Sequence, residues 1–266
     1  MTEATTGRQY DRWLSGRSLT GLGFSFLASV PGSMIVNTPV FQLDKNLVLK
    51  PEHRVLDVGC GRASLLQILG ARVRFQRPAV GIDLSRRMLS VGRQEVRAAG
   101  RSDVELVQAA GTAMPFASDS FDVATCSYVV KHLDDKGLLS FLRELLRVLK
   151  PGGFAVIWEF APTGSNVLNA WHRWLLSRGV ETCNLRGYGE LAHAATSAGF
   201  EWVENAHLRP FLLPPIPRVS IVVGKPPEEW RERTGLGRAR RAAVEAAQAR
   251  AAAAAAPTAP DTGPAP

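Results

Sequence analysis

The sequence predicts an α/β fold on a mostly parallel sheet covered by helices on both faces, and three observations carry that prediction. Short apolar runs alternate along the chain with longer helix-compatible segments, the pattern of strands joined by right-handed crossovers. The first two runs, Val55-Leu56-Asp57 and Ala79-Val80-Gly81-Ile82-Asp83, both end in an acid, and the first leads into the glycine turn Gly59-Cys60-Gly61. Further on, Leu138, Leu139, Leu142, Leu145, Leu146 and Leu149 fall at helical spacing before a Pro151-Gly152-Gly153 stop and a new apolar run, Phe154 to Trp158.

Taken in order, residues 54–58 read as strand one and 63–71 as the following helix. Strand two is 79–82. Ser85 suits the N-cap of a helix over 86–99, and Gly100 suits its stop. Strand three is 104–107 and strand four 121–126. Asp134 or Asp135 caps the leucine-rich helix that runs to Leu149, and strand five is 154–159. Helices are expected over 166–177 and 188–198, the latter stopped at Gly199. Two late strands, 200–206 and 219–223, are joined by the rigid Leu213-Pro214-Pro215-Ile216-Pro217. Before all of these, residues 3–15 form an amphipathic pattern with Tyr10 and Trp13 on one side. After them, an Ala/Arg-rich stretch from Arg240 to Ala256 has little apolar face to dock, and the Pro-rich last ten residues are expected to be disordered. The expected organisation is a helical cover over 1–49, a main domain over 50–224 with an insertion at about 160–186, and a tail over 225–266.

The chain has 266 residues, 45% of them hydrophobic, enough to bury a large core. Cys60, Cys126 and Cys183 are scattered without C-x-x-C spacing, which predicts a reducing, cytoplasmic setting and no disulfide framework. The five histidines show no ligand spacing, so no metal site is expected. The apolar stretch Leu19 to Phe41 is broken by Pro31, Gly32 and Pro39, so it predicts short covering helices and no membrane span; peripheral contact with a membrane is the mode left open. The net charge is +8 and the pI about 9.9. Arg72, Arg74, Arg77, Arg86, Arg87, Arg93 and Arg97 form a thin basic face with Phe75 as the single interleaved aromatic, which reads as a solvated surface and argues against nucleic acid as a partner.

The strand–glycine turn–helix–strand–acid sequence is suited to a nucleoside. Glycines let the backbone approach a ligand, and a carboxylate at the end of strand two can accept hydrogen bonds from two vicinal ribose hydroxyls. The dinucleotide fingerprint G-x-G-x-x-G/A is incomplete, because its third position is Ser64. Asp57 stands before the first glycine instead, where it would repel phosphates and suit an ammonium. The D-x-G-x-G form therefore favours S-adenosylmethionine over NAD.

Further segments extend the pattern: Met114-Pro115-Phe116, then Asp119-Ser120-Phe121-Asp122 entering strand four, then Leu149-Lys150-Pro151-Gly152-Gly153 entering strand five. With these, residues 50 to 224 resemble the class I S-adenosylmethionine-dependent methyltransferases, in particular the small-molecule and lipid-intermediate branch that includes the ubiquinone/menaquinone methyltransferases. The resemblance implies a Rossmann-like seven-stranded sheet of order 3-2-1-4-5-7-6 with strand seven antiparallel. It implies that Asp57, Gly59, Cys60 and Gly61 hold the methionine part of the cofactor, that Asp83 takes the ribose and that Leu84 packs near the adenine. Aligned on Met114-Pro115-Phe116, the family's adenine-contacting acid is replaced by Ala110, which leaves adenine to the backbone of Ala110 and Gly111 and the Thr112 hydroxyl. Ser127 and Tyr128 should lie near the sulfonium.

His132, where many relatives also have His, is the candidate general base, with packing as the competing role. Lys131 beside it reads as solvent-facing. Glu159, at the end of strand five, is the second catalytic candidate. Trp158, Trp171 and Trp174 read as core or cover. The apolar N-terminal segment and insertion favour a small, lipid-like or aromatic acceptor methylated at O, C or N. A methyltransferase of RNA or protein is the alternative, but Cys126-Ser127-Tyr128-Val129 stands where base-methylating relatives carry N/D-P-P-Y/F. A cofactor-binding protein without catalysis is the third reading, kept open by the missing acid at Ala110.

Overall fold

β1 (Val55–Val58) is buried at every position, as a strand must be when both faces of its sheet are covered. The computed structural model describes residues 49–176, 183–206 and 217–227, with Asp11, Ser29 and Val30. The chain divides into two compact units, residues 1–225 and 226–266, and every element below belongs to the first. After β1 come α1 (Ser64–Arg72), β2 (Ala79–Asp83), α2 (Arg86–Ala98), β3 (Val104–Gln108), β4 (Phe121–Ser127), a 3₁₀ turn (Val130–His132), α3 (Asp135–Val148), β5 (Leu149–Phe160), α4 (Asn166–Leu176), α5 (Tyr188–Ala198), β6 (Trp202–Asn205) and β7 (Arg218–Gly224). The strands form one sheet of order β3-β2-β1-β4-β5-β7-β6. β7 pairs antiparallel with β5 and β6, and the other pairings are parallel, so the Rossmann-like expectation holds in full.

The local signals act as expected. The Ser85 hydroxyl accepts from Met88 N at 3.1 Å, and the Asp134 carboxylate from Gly137 N at 2.7 Å, each satisfying a free donor at a helix start. Gly100 and Gly199 stop α2 and α5 with φ of 65° and 110°. β5 begins at Leu149, five residues before the expected Phe154. The Lys150–Gly153 turn is absorbed into the sheet because Leu149 pairs with Phe121 across a bulge, while Gly152 N donates to Lys225 O at 2.7 Å.

The alternation of strand side chains creates two cores. On one face Leu56, Val58, Ile82, Cys126, Ile157 and Ile221 pack against Phe141, Leu142 and Leu145 of α3 and Leu191 of α5. On the other Val55, Val123, Val156, Trp158 and Val222 pack against Leu65, Leu66, Ile68 and Leu69 of α1. Trp158 is thus a core residue. Arg72, Arg74, Arg77, Arg86, Arg87, Arg93 and Arg97 are all exposed. Among the described residues no helix is long and apolar enough to cross a membrane. The expected helix over 3–15 with Tyr10 and Trp13, most of the 1–49 cover, the connection over 213–216 and the Ala-rich tail lie outside the described residues.

Phe141 is 0% exposed between α3 and the sheet. Phe141→Ala should cost about 3–5 kcal/mol in chemical denaturation. A loss under about 1.5 kcal/mol, the range of a tolerated swap, would mean that α3 is not seated as described.

Candidate functional site

The strand ends and the loop between β1 and α1 meet at one edge of the sheet. Gly59, Gly61 and Ala63 take φ of 72°, 54° and 61°, so alternate residues of the loop are left-handed. At Gly59 a Cβ would come 2.1 Å from Val129 Cγ2, so only glycine fits that approach. Gly59 N and Cys60 N both donate to Ile82 O, at 2.8 and 2.9 Å, and Gly61 N donates to Asp83 Oδ2 at 2.9 Å. The loop is thereby sewn to the end of β2. Ala63 carries a Cβ in a backbone conformation that disfavours one by about 1–2 kcal/mol; its burial in the α1 core offsets part of that. The expected helix start at Ala63 moves to Ser64 for this reason.

Asp83 also accepts from Ser85 N through Oδ1 at 2.8 Å. Each carboxylate oxygen thus has one backbone partner, and a carboxylate with about four lone-pair sites keeps two for a diol. Burial raises the Asp83 carboxyl above its ordinary range, against the two backbone donors. The Asp11 charge adds to this, since Asp11 Oδ1 accepts from Ser85 Oγ at 2.5 Å and Arg87 N at 3.2 Å. Leu84 is half-buried beside it, its carbonyl accepting from Gln108 Nε2 at 3.1 Å.

Asp57 lies on the same face as Asp83, 1% exposed, and accepts from Thr125 Oγ1 at 2.8 Å. Burial first, and the Asp83 charge further, push its carboxyl to about 7. The Cys60 thiol is pushed well above its ordinary range by burial and both carboxylates, which makes it an inert wall. A cation placed among these carboxylates would offset their repulsion.

Ala110, Gly111 and Thr112 form a tight turn, with Ala113 N donating to Ala110 O at 3.3 Å. A pair on α3 fixes this loop: Glu144 accepts from Met114 N at 2.8 Å, and Arg147 donates to Phe116 O at 2.6 Å and Met114 O at 3.0 Å. The sequence reading saw only the apolar face of α3 and missed both residues, although their i, i+3 spacing marks an ion pair.

Ser127 ends β4 half-buried, and Tyr128 follows with φ of 56°, a left-handed conformation uncommon for a residue with a side chain. The Tyr128 ring stacks on Phe160 at 4.6 Å, and its hydroxyl accepts from Arg218 Nη1 at 3.3 Å. Lys131 is not solvent-facing, as the sequence led us to expect, but 6% exposed. Its Nζ lies 3.5 Å from Glu159 Oε1, donates to Tyr128 O and sits 5.7 Å from the Tyr128 ring centroid. Glu159, 0% exposed, also accepts from Lys131 N at 3.1 Å and Phe160 N at 2.9 Å. Those three donors make it a brace between β5 and the 3₁₀ turn. His132 is half-buried on that turn. Trp171 and Trp174 of α4 are exposed at 43% and 52%, outside the core, while Asn169 and His172 form the buried side of the helix. Among the described residues no cluster of His, Cys, Asp and Glu is placed to hold a metal.

The comparisons with known proteins agree with this geometry. Residues 55–153 match the family described as a methyltransferase domain. A demethylmenaquinone methyltransferase of Bacillus cereus is 37% identical over 111 residues, 42% of this chain and 46% of that protein. The chain therefore spans about half the length of the curated relatives it matches. Phosphoethanolamine N-methyltransferase 2 of Haemonchus contortus, solved with S-adenosyl-L-methionine, superposes with a TM-score of 0.66 at 17% identity, over 82% of this chain and 60% of that one. The [4+2]-cyclase SpnF superposes with a TM-score of 0.64 at 19% identity, over 85% and 98%. At those identities the two structures share the fold alone. Residues 55–153 are thus similar to a methyltransferase domain, within a chain that shares the fold of these structures.

The Asp57 carboxyl gives a pH test. The unfolded chain ionises it near 3.8 and the folded chain near 7, so between those values only the unfolded chain releases the proton. The Asp57 contribution to stability is full below about pH 4, falls as pH rises to about 7 and is level above, a loss on the order of 4 kcal/mol. Asp57→Asn removes that dependence. Without ligand, its melting temperature should exceed that of the wild type by a margin that widens from pH 5 to pH 7.5. A constant margin would show that Asp57 is ionised in the fold at acidic pH.

Proposed function

We propose that the protein transfers a methyl group from S-adenosylmethionine to a small, apolar or lipid-like acceptor. The observation that carries the reading is the Asp83 carboxylate, anchored by Gly61 N and Ser85 N beside a loop that a Cβ at Gly59 would close. That is the acceptor a ribose diol needs, and the residues present fit the cofactor.

When bound, S-adenosylmethionine supplies a methyl group on an activated sulfonium. Asp83 would accept from both ribose hydroxyls. Gly59, Cys60 and Gly61 give backbone approach to the methionine part, and Asp57 answers its ammonium, whose charge would draw the Asp57 carboxyl down from about 7 into its ionised form. Leu84 would flank the adenine, and Ala110, Gly111 and Thr112, in a loop fixed by Glu144 and Arg147, would meet its edge through backbone and hydroxyl groups. Ser127 and Tyr128 line the approach to the methyl group. His132 takes the proton that an O–H, N–H or acidic C–H acceptor gives up. Glu159 holds the turn by its bonds to Lys131 and Phe160.

The acceptor class rests on two supports. The relatives with 37% identity are named for demethylmenaquinone, a quinone-like molecule, although this chain spans under half of them. In addition, α4, between β5 and α5, presents Val167, Leu168, Trp171 and Trp174 outward, an apolar edge suited to a lipid-like acceptor or to contact with a membrane surface.

S-adenosylmethionine should raise the melting temperature, and Asp83→Ala should weaken its binding by about 1–3 kcal/mol in calorimetry. Absence of binding by the wild type overturns the cofactor assignment. His132→Ala should lower kcat about 10²–10⁴-fold, leave cofactor affinity unchanged and abolish the acid limb of the pH–rate profile. A variant that melts earlier but keeps its turnover would make His132 structural.

A further inference from the structure

The turn that carries His132 is fastened from outside itself. A 3₁₀ helix of three residues has poor hydrogen-bond geometry and cannot satisfy its own last carbonyls. Here Val130 O, which already accepts from Leu133 N at 3.2 Å, also accepts from Arg186 Nη1 at 3.0 Å, and Leu133 O accepts from Arg186 Nη2 at 2.8 Å and Asn184 Nδ2 at 3.0 Å. Lys131 O accepts from Asn184 N at 2.8 Å. From the sheet side, Glu159 receives Lys131 N at 3.1 Å. The turn is gripped by groups that lie 28 and 51 to 56 residues further along the chain, on both sides of α4.

Arg186 is 6% exposed, and its ion-pair partner Asp135, at 2.9 Å, has a side chain 95% exposed. A buried guanidinium beside a solvated carboxylate gains little from the pair, so its placement is not explained by charge. It is explained by shape. The planar fork reaches two carbonyls three residues apart at once, which an ammonium, a point charge, cannot do with the same rigidity.

We propose that Arg186, assisted by Asn184, is a positioning residue that sets the 130–133 turn, and with it the His132 imidazole, for methyl transfer. The assignment rests on the reading above that His132 serves the transfer.

The test compares Arg186→Lys, Arg186→Ala and Asn184→Ala with the wild-type chain in four readouts: amide exchange over residues 130–134, the His132 imidazole resonance, S-adenosylmethionine affinity, and transfer of a labelled methyl group into an apolar extract. Arg186→Lys keeps the charge and most of the volume, and carries the test if the alanine variant does not fold. Exchange should quicken in 130–134 and not elsewhere, and the imidazole signal should shift. Donor affinity should hold while transfer falls about 10²-fold, the size expected for a displacement of about 1 Å. An unmoved His132 signal with unchanged local exchange overturns the proposal. So does a loss of transfer and donor affinity in step with a lower Tm, which marks general packing. A wild-type chain that transfers no methyl group overturns the methyltransferase reading instead, and the exchange and imidazole signals then decide the positioning role on their own.

Discussion

The site depends on one close approach: the loop after β1 lying against the end of β2. Gly59 N and Cys60 N share the Ile82 carbonyl, and Gly61 N meets the Asp83 carboxylate. The approach requires left-handed backbone at Gly59, Gly61 and Ala63 and an open face at Gly59 against Val129. From it follow the orientation of Asp83, the entry angle of α1 and the depth of Asp57. A substitution at Gly59 would displace the contact with the β4 side and the contact with β2 together.

Electrostatically the site is acidic, with Asp57 and Cys60 buried. Burial lifts Asp57, Asp83 and the Cys60 thiol above their ordinary ranges, and the carboxylates reinforce one another. Such a site is costly without a ligand and suits one that brings a cation and a diol together. The fold alone does not name the reaction: the same architecture serves an N-methyltransferase and a [4+2]-cyclase at comparable superposition.

Most of the fold was legible because its signals are local. The caps at Ser85 and Asp134 and the stops at Gly100 and Gly199 each act within a few residues of themselves. What was not legible is non-local. Lys131 looked like a surface lysine because its partner Glu159 is 28 residues away and enters from another strand. Arg186 drew no attention because its carbonyl partners lie more than 50 residues back. Ala63 was assigned to the helix because its residue type favours one; tertiary packing of the loop places it in the left-handed region instead.

The central claim is methyl transfer to an apolar small molecule, and one measurement addresses it directly. The protein is incubated with S-adenosylmethionine bearing a deuterated methyl group and a fractionated cell extract, and every fraction is searched by mass for the label. The account predicts the label in an organic-extractable small molecule. Label in RNA or protein, or in no fraction while the cofactor binds, would contradict it.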